Sequence, residues 1–479
     1  MTTAAAAGGL LMTACDNEQE KKTDTLIDGA SLYAKACEAE SKGEEEQALH
    51  LFRQAADQGI AHAMLKMGEI CLSGFASQSK DEAAAVSWLN RAAEAGEARA
   101  LYYLGICADT GQGMEKDPAR ALTFWKRAAE QGDTSSQLMM GLACARGYAG
   151  HRQDVAEAAA WYRKAAEKGH AGARYCLAVC YDTGAGVEKD PEQTVFWARQ
   201  AAEQRHAKAC HMMGKAFLHG YGGLEKSDQD AAAWFRRAAD LREPDSLCAL
   251  GKMALAGRGM KKDPELAVRC FSLASKSGHA EALCFLGMCF DTGTGLPADP
   301  AQAAACWKKA AEGKNARAAW YLGRCLETGH GLERDEEKAL KIYALAADWG
   351  DPEALCEYGL RLMDGRGVPE NETKGGELLK ASAGSGSVRA MIELGRRLSE
   401  GRGLKKDPEE ARTWWRKAAT LGSREAARLL SPSRSERSAA PSVPENRDVR
   451  KKDDLSANET GEKSHKPGSG HTRNKTRGN

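Results

Sequence analysis

Along most of this chain, apolar residues recur three and four positions apart, the spacing that lines one face of an α-helix. Residues 98–110 are a clear instance, with Leu101, Leu104 and Ala108 forming the stripe. The break that follows, Gly111-Gln112-Gly113, supplies the positive φ that ends a helix. Asp117-Pro118 then reads as a helix start, with Asp as the cap and Pro where a missing N–H costs nothing. The same start stands at Asp190-Pro191, Asp263-Pro264, Asp299-Pro300 and Asp407-Pro408. The pattern predicts helix pairs joined by tight, glycine-rich turns, with no strands.

This unit repeats. Eleven small-residue pairs run from Ala55-Ala56, through Ala381-Ser382, to Ala418-Ala419, at steps of 35 to 37 residues. A second marker keeps time with them: Gly68, Gly105, Gly141, Ala178, Gly214, Gly251, Gly287, Gly323, Gly359 and Gly395. A period in this range marks a stacked array, in which each unit buries its apolar face only against its neighbours. Glycine inside a helix costs about 1 kcal/mol relative to alanine, so its recurrence needs a packing reason. The expected one is close approach of the partner helix, with the small pair as the matching surface. Aromatic residues three or four positions before the pair (Trp88, Phe124, Trp125, Trp161, Tyr162, Trp197, Trp234, Phe235, Trp307, Tyr343, Trp414 and Trp415) are expected to fill the core. Around residues 373–387 the second helix lacks an aromatic and runs into Gly384-Ser385-Gly386-Ser387. That unit is expected to make the fewest buried contacts and to open first.

The combined pattern, A-x-x-x-L-G, then G-x-G, then D-P, then W-x-x-A-A-E-x-G, resembles the Sel-1-like repeat family, a relative of the tetratricopeptide repeat. The resemblance covers residues 60–430, and an opening unit at 29–59 is more tetratricopeptide-like, with Ala48, Phe52 and Ala55 in place. It implies an all-α, right-handed superhelical solenoid of antiparallel helix pairs over residues 25–430, whose first helices line a concave groove. It also implies a protein-binding adaptor rather than an enzyme. By analogy, positions three before and one after the marker face the groove: Tyr102 and Ile106, Tyr175 and Val179, His211 and Lys215, Trp320 and Arg324, Ile392 and Arg396. Aromatic and arginine side chains there suit a protein or peptide ligand.

Composition narrows the partners. Of 479 residues 42% are hydrophobic, ample for a core, and 68 basic against 67 acidic residues give a net charge of +1. No nucleic-acid partner is expected from that balance. Residues 431–479 carry +4 and almost no aliphatic side chains, so a disordered basic tail is expected there. Residues 1–24 begin with a short apolar run ending at Cys15 and continue into a polar stretch. This reads as a lipoprotein signal and tether, with Cys15 lipidated and the protein held at a membrane by that anchor alone. A cytoplasmic protein with an Ala/Gly leader is the competing reading, favoured by the many remaining cysteines, since free thiols fare better in reducing compartments. The 15 cysteines are expected as small buried apolar groups, and with no C-x-x-C no metal site or cofactor is expected.

Two enzymatic readings are disfavoured by the residues themselves. A cysteine-rich branch of the resembled family carries β-lactamase-like activity, but its staple cysteines at the end of the second helix are alanine or serine here. The Ser77-Gln78-Ser79-Lys80 motif lacks the companion Ser-Asp-Asn and Lys-Thr-Gly. The G-x-G turns have no strand before them and read as helix stops, not phosphate cradles. His170, His206 and His279 recur before first helices and read as turn residues rather than ligands. An envelope or host-directed regulatory role remains the third reading.

Overall fold

The computed structural model describes residues 28–430. The expectations for residues 1–24 and 431–479, Cys15 included, lie outside the described residues. Those described form 23 α-helices and no sheet. In chain order these are α1 (Gly29–Ser41), α2 (Glu45–Asp57), α3 (Ala61–Ser73), α4 (Glu82–Glu94), α5 (Ala98–Thr110) and α6 (Pro118–Glu130). They continue as α7 (Thr134–Arg146), α8 (Val155–Glu167), α9 (Ala171–Thr183), α10 (Pro191–Glu203), α11 (Ala207–His219) and α12 (Asp228–Asp240). Next come α13 (Pro244–Ala256), α14 (Pro264–Ser275), α15 (Ala280–Thr292), α16 (Pro300–Glu312), α17 (Ala316–Thr328) and α18 (Glu336–Asp348). The array closes with α19 (Pro352–Asp364), α20 (Glu372–Gly384), α21 (Val388–Glu400), α22 (Pro408–Thr420) and the short α23 (Arg424–Leu430). Odd-numbered helices are the first of each pair. Each but the last packs most extensively on its own second helix, and each second helix makes a smaller contact with the next first helix, as a solenoid requires. No described helix is long and apolar enough to cross a membrane.

The turns are built as the sequence predicts, with one addition. Gly111 adopts the left-handed conformation (φ 85°) and donates its N–H to the Cys107 carbonyl at 2.8 Å, ending α5. Asp117 accepts the Arg120 N–H at 2.9 Å and starts α6. The addition concerns the second glycine of the turn. A Cβ on Gly113 would overlap the Glu82 carbonyl at the start of α4, in the preceding unit. The G-x-G turn is therefore a stop signal followed by a stacking contact between units.

Marker glycines work differently from the expectation. The space over Gly214 is filled by the Phe235 ring, 2.6 Å from where a Cβ would stand, and over Gly323 by Tyr343 at 2.7 Å. Trp125, Trp307 and Trp415 lie on Gly105, Gly287 and Gly395 in the same way. Each indole N–H donates at 3.2 Å to the carbonyl three residues before its glycine, of Tyr102, Cys284 and Ile392 respectively. The glycine makes room for an aromatic ring, not for a backbone. At Ala178, where the marker carries a methyl, the ring position is occupied by Ala198, and both are fully buried.

Three further expectations are corrected. At most one aromatic per pair is core: Trp125, Tyr162, Phe235, Trp307, Tyr343 and Trp415 are buried, whereas Trp88, Phe124, Trp161, Trp197, Trp234 and Trp414 are half-exposed. Several of the latter carry a cation on the ring, as Arg91 does on Trp88 and Lys164 on Trp161, each 4.2 Å from the centroid. The tenth small pair is Ser382-Ala383, both buried, and Ala381 is exposed, which restores an even step of 36. The unit around 373–387 is not loosely packed. A Cβ on Gly375 would lie 2.6 Å from the Gly359 carbonyl, so the two helix backbones touch and replace the missing ring. The Ser382 hydroxyl ties the pair to the Pro352 carbonyl at 2.5 Å.

Candidate functional site

The most voluminous cavity among the described residues, about 720 Å³, lies at the turn after α9, lined by Arg163, Tyr181 and residues 187–190. Three others are lined mainly by the first helices of successive pairs, which form one face of the solenoid. Two of them are joined. One, of about 580 Å³, is lined by Tyr175 and Asp182 of α9, Lys208, His211, Met212, Lys215 and His219 of α11, Tyr221, and Glu243 and Asp245 at the start of α13. The other, of about 570 Å³, shares His211, Lys215, His219 and Asp245 and adds Lys252, Arg258 and Glu281. Further along, a cavity of about 410 Å³ is lined by Asp291, Trp307, Tyr321, Arg324 and His330. The groove thus runs across four or more units.

The residue after the stop glycine shapes this groove. Tyr221 donates its hydroxyl to Asp182 at 2.6 Å, and His330 meets Asp291 at 2.8 Å, each reaching back to the preceding unit. Tyr148 makes the same bond to Asp109. These bonds lock neighbouring first helices in register and leave the side chains between them facing the cavity.

Within the groove Tyr175 stacks on His206, with centroids 4.7 Å apart. The His211 Nδ1 and the Ser246 hydroxyl share a hydrogen bond of 2.7 Å, and Glu243 caps α13 by accepting the Ser246 N–H at 2.7 Å. Burial pushes the His211 imidazole below its usual value, against the opposite pull of Glu243 and Asp245. An acid, an imidazole and a hydroxyl therefore meet. Ser246, however, is wholly buried at the helix start, so its hydroxyl is not presented to the cavity. Lys208 and Lys215 make no hydrogen bond or ion pair among the described residues and stand free in the joined cavities, with His219 beside them.

Sequence reasoning placed Tyr175, His211, Lys215 and Arg324 on this face, and all four line cavities. Tyr102 and Ile106 are half-buried against the Trp125 cluster. Val179 is half-buried. Trp320 is flanked by the Arg317 and Arg324 guanidinium groups, 5.6 and 5.0 Å from its ring. Ile392 is a correction: at 6% exposure it belongs to the core, its carbonyl receiving the Trp415 indole. Arg396 is held by Glu393 and Glu425. Lys252 was missed although it stands one residue after Gly251, the same rule that found Lys215. Lys208 and His219 obey no such spacing and needed the structure, while Tyr221 follows a different one, the residue after the stop glycine, as Tyr148 and His330 do.

Past residue 327 the same face is occupied by its own ion pairs. Arg361 pairs with Glu357 at 3.0 Å and with Glu327, and Glu357 also takes Arg389 at 2.8 Å. Arg397, buried, pairs with Asp364 at 2.6 Å. Groups already paired offer little to a ligand, so the free part of the groove is the middle of the array.

The cysteines are mostly interior. Of those described, only Cys37 is exposed and only Cys176 half-exposed, and none is in a disulfide. Burial pushes the Cys107 thiol up to about 11 and the Cys248 thiol up to about 12, so both stay protonated. The histidines before first helices are caps: Nδ1 of His170, His206 and His279 accepts the N–H three residues on, at 3.2, 3.3 and 3.1 Å. Ser77 gives its hydroxyl to Glu46 at 2.8 Å.

The family model described as Sel1 repeat matches eleven segments, 42–60, 61–97, 98–133, 134–170, 171–206, 207–242, 244–279, 280–315, 316–351, 352–387 and 388–423. The chain belongs to the Sel1 repeat family. Among solved structures this Sel1 repeat protein is similar to c5321, a protective antigen present in uropathogenic Escherichia coli strains displaying an SLR fold. The two are 30% identical over 80% of this chain and 81% of that one, with a TM-score of 0.64. It is also similar to a Sel1 repeat protein from Oxalobacter formigenes, at 30% identity over 51% of this chain and 96% of the other, with a TM-score of 0.46. No curated protein matches the chain. Sel1 repeat proteins generally serve as protein-interaction scaffolds, and the long open groove of this one accords with that role.

Proposed function

We propose that this Sel1 repeat protein is a non-catalytic adaptor that binds a protein or peptide along its first-helix face, centred on α9, α11 and α13. The observation that carries this reading is the joined pair of cavities, where the unpaired Lys208 and Lys215 stand with His219 beside the Tyr175 ring. Cations without internal partners are available for a carboxylate, and a ring supplies the apolar anchor. Burial of the Ser246 hydroxyl beneath His211 and Glu243 supports the non-catalytic part, since a substrate in the groove would not reach it. The reading extends to attachment at a membrane through Cys15.

The test compares full-length wild type with a Tyr175→Ala, Lys208→Ala, Lys215→Ala variant of equal helicity in affinity capture. A partner held by wild type and lost by the variant supports the groove. Equal capture by both moves the binding site elsewhere. Hydrolysis of nitrocefin by pure wild type would overturn the non-catalytic reading.

A further inference from the structure

The unit formed by α7 and α8 has an irregular turn. It is one residue longer than the turn after Gly111 and contains a short 3-10 segment at Tyr148–Gly150, with Ala149 at φ 54°. In other units the turn sends an apolar residue back onto the core, as Met114, Val187, Leu224 and Met260 do. Here that place is held by His151. A half-buried histidine has replaced an apolar plug, and what it faces explains the exchange.

We infer that Cys144, His151 and Glu157 form a binding site for a zinc-class divalent metal ion, with the fourth position open to water. The His151 Nε2 lies 3.3 Å from the Cys144 Sγ and 3.5 Å from the Glu157 Oε2, and the three ligand atoms all lie within 4.8 Å of one another. With zinc–sulfur, zinc–nitrogen and zinc–oxygen bonds of about 2.3, 2.0 and 2.1 Å, the edges of a tetrahedron are about 3.4 to 3.6 Å. Both distances from His151 already stand close to that separation. Glu157 is oriented from outside: its other oxygen accepts the Trp161 indole N–H at 3.2 Å, which turns Oε2 toward His151.

The site also has an entrance, since the side chains of His151 and Glu157 are 30% and 44% exposed while Cys144 closes the inner end. Thiolate, imidazole and carboxylate together favour zinc or cobalt over magnesium or calcium, which prefer oxygen alone. Binding displaces the thiol proton to solvent as the metal–sulfur bond forms.

A second grouping, Cys248, His279 and Glu281, has the same residue types but is already committed. His279 uses Nδ1 to cap α15 and Nε2 to meet Asp245 at 2.9 Å, and Glu281 pairs with Lys252 at 2.8 Å. No nitrogen is left for a metal there. It serves as the internal control.

The experiment titrates cobalt(II), then zinc(II), into the reduced, metal-free full chain. The expected result is one ion bound per chain with the intense visible bands of tetrahedral cobalt and a sulfur-to-cobalt charge-transfer band. Cys144→Ser and His151→Leu should each lose that spectrum, and Glu157→Gln should weaken binding at least about tenfold. His151→Leu restores the apolar residue of the other units, so its fold is expected to hold, as helicity would report. Cys248→Ser should bind as wild type does. Absence of stoichiometric binding by wild type, an unchanged spectrum in folded Cys144→Ser or His151→Leu, or loss confined to Cys248→Ser would each overturn the site.

Discussion

At the scale of single residues, the marker glycine and the ring above it act as one unit. Gly105→Ala should destabilise the array, although alanine favours a helix by about 1 kcal/mol. The added methyl meets the Trp125 indole, and overpacking of that kind costs about 1–3 kcal/mol. The natural exchange at Ala178 and Ala198 suggests a sharper measurement. Ala198→Phe alone should lower the urea midpoint, and adding Ala178→Gly should recover part of the loss, a coupling read from a double-mutant cycle. Independent effects of the two changes would refute the pairing. The capping histidines give a pH dependence. Burial lowers the His170 and His206 values, with Asp133 opposing at the first and Lys208 reinforcing at the second. Both caps need an unprotonated Nδ1. Their contribution is therefore complete above about pH 6.5, the unfolded value, and is lost as pH falls through the lowered folded values. Thermal melts of wild type should fall over that window, and His170→Asn, His206→Asn should flatten the fall, because asparagine caps without titrating.

At the scale of the helix pair, the order of cap, stop and ring was readable because each is a local rule with a fixed offset. Asp117 and Gly111 follow from backbone hydrogen bonding within a few residues, and the expected turns formed. What could not be read is which of two neighbouring aromatics points inward. Phe124 and Trp125 differ by one residue, about 100° around a helix, and only the partner helix decides that Trp125 is the buried one. The α19–α20 pair shows the same limit. An absent aromatic suggested weak packing, yet Gly375 brings the backbones into contact. Gly375→Ala is accordingly expected to destabilise this unit despite alanine's better helix propensity, with local hydrogen exchange in α19 and α20 rising. Slower exchange in the variant would show that the two helices are not that close.

At the scale of the whole molecule, the core is a chain of neighbouring clusters rather than one centre. Stability in such an array is close to a sum over units and interfaces. Trp307, buried at 2% and bonded to the Cys284 carbonyl, sits where two such clusters meet. Trp307→Ala should remove about 3–5 kcal/mol at that point and split urea unfolding into two transitions. One cooperative transition with only a shifted midpoint would argue against that partition. The groove belongs to this scale too, since Tyr175, Lys215 and Asp245 come from three different units.

Period, helix boundaries and the order of cap and stop are properties of the sequence alone, because caps, stops and helical stripes act over ten residues or fewer. The face that stays open is a tertiary matter. Lys215 and Arg396 occupy equivalent positions after a marker glycine, yet one is free and the other is held between Glu393 and Glu425. Cys144, His151 and Glu157 likewise match no motif, as they converge only when a helix end, an irregular turn and the next helix fold together. Charge pairing and convergence depend on distances across elements, and no spacing along the chain encodes those.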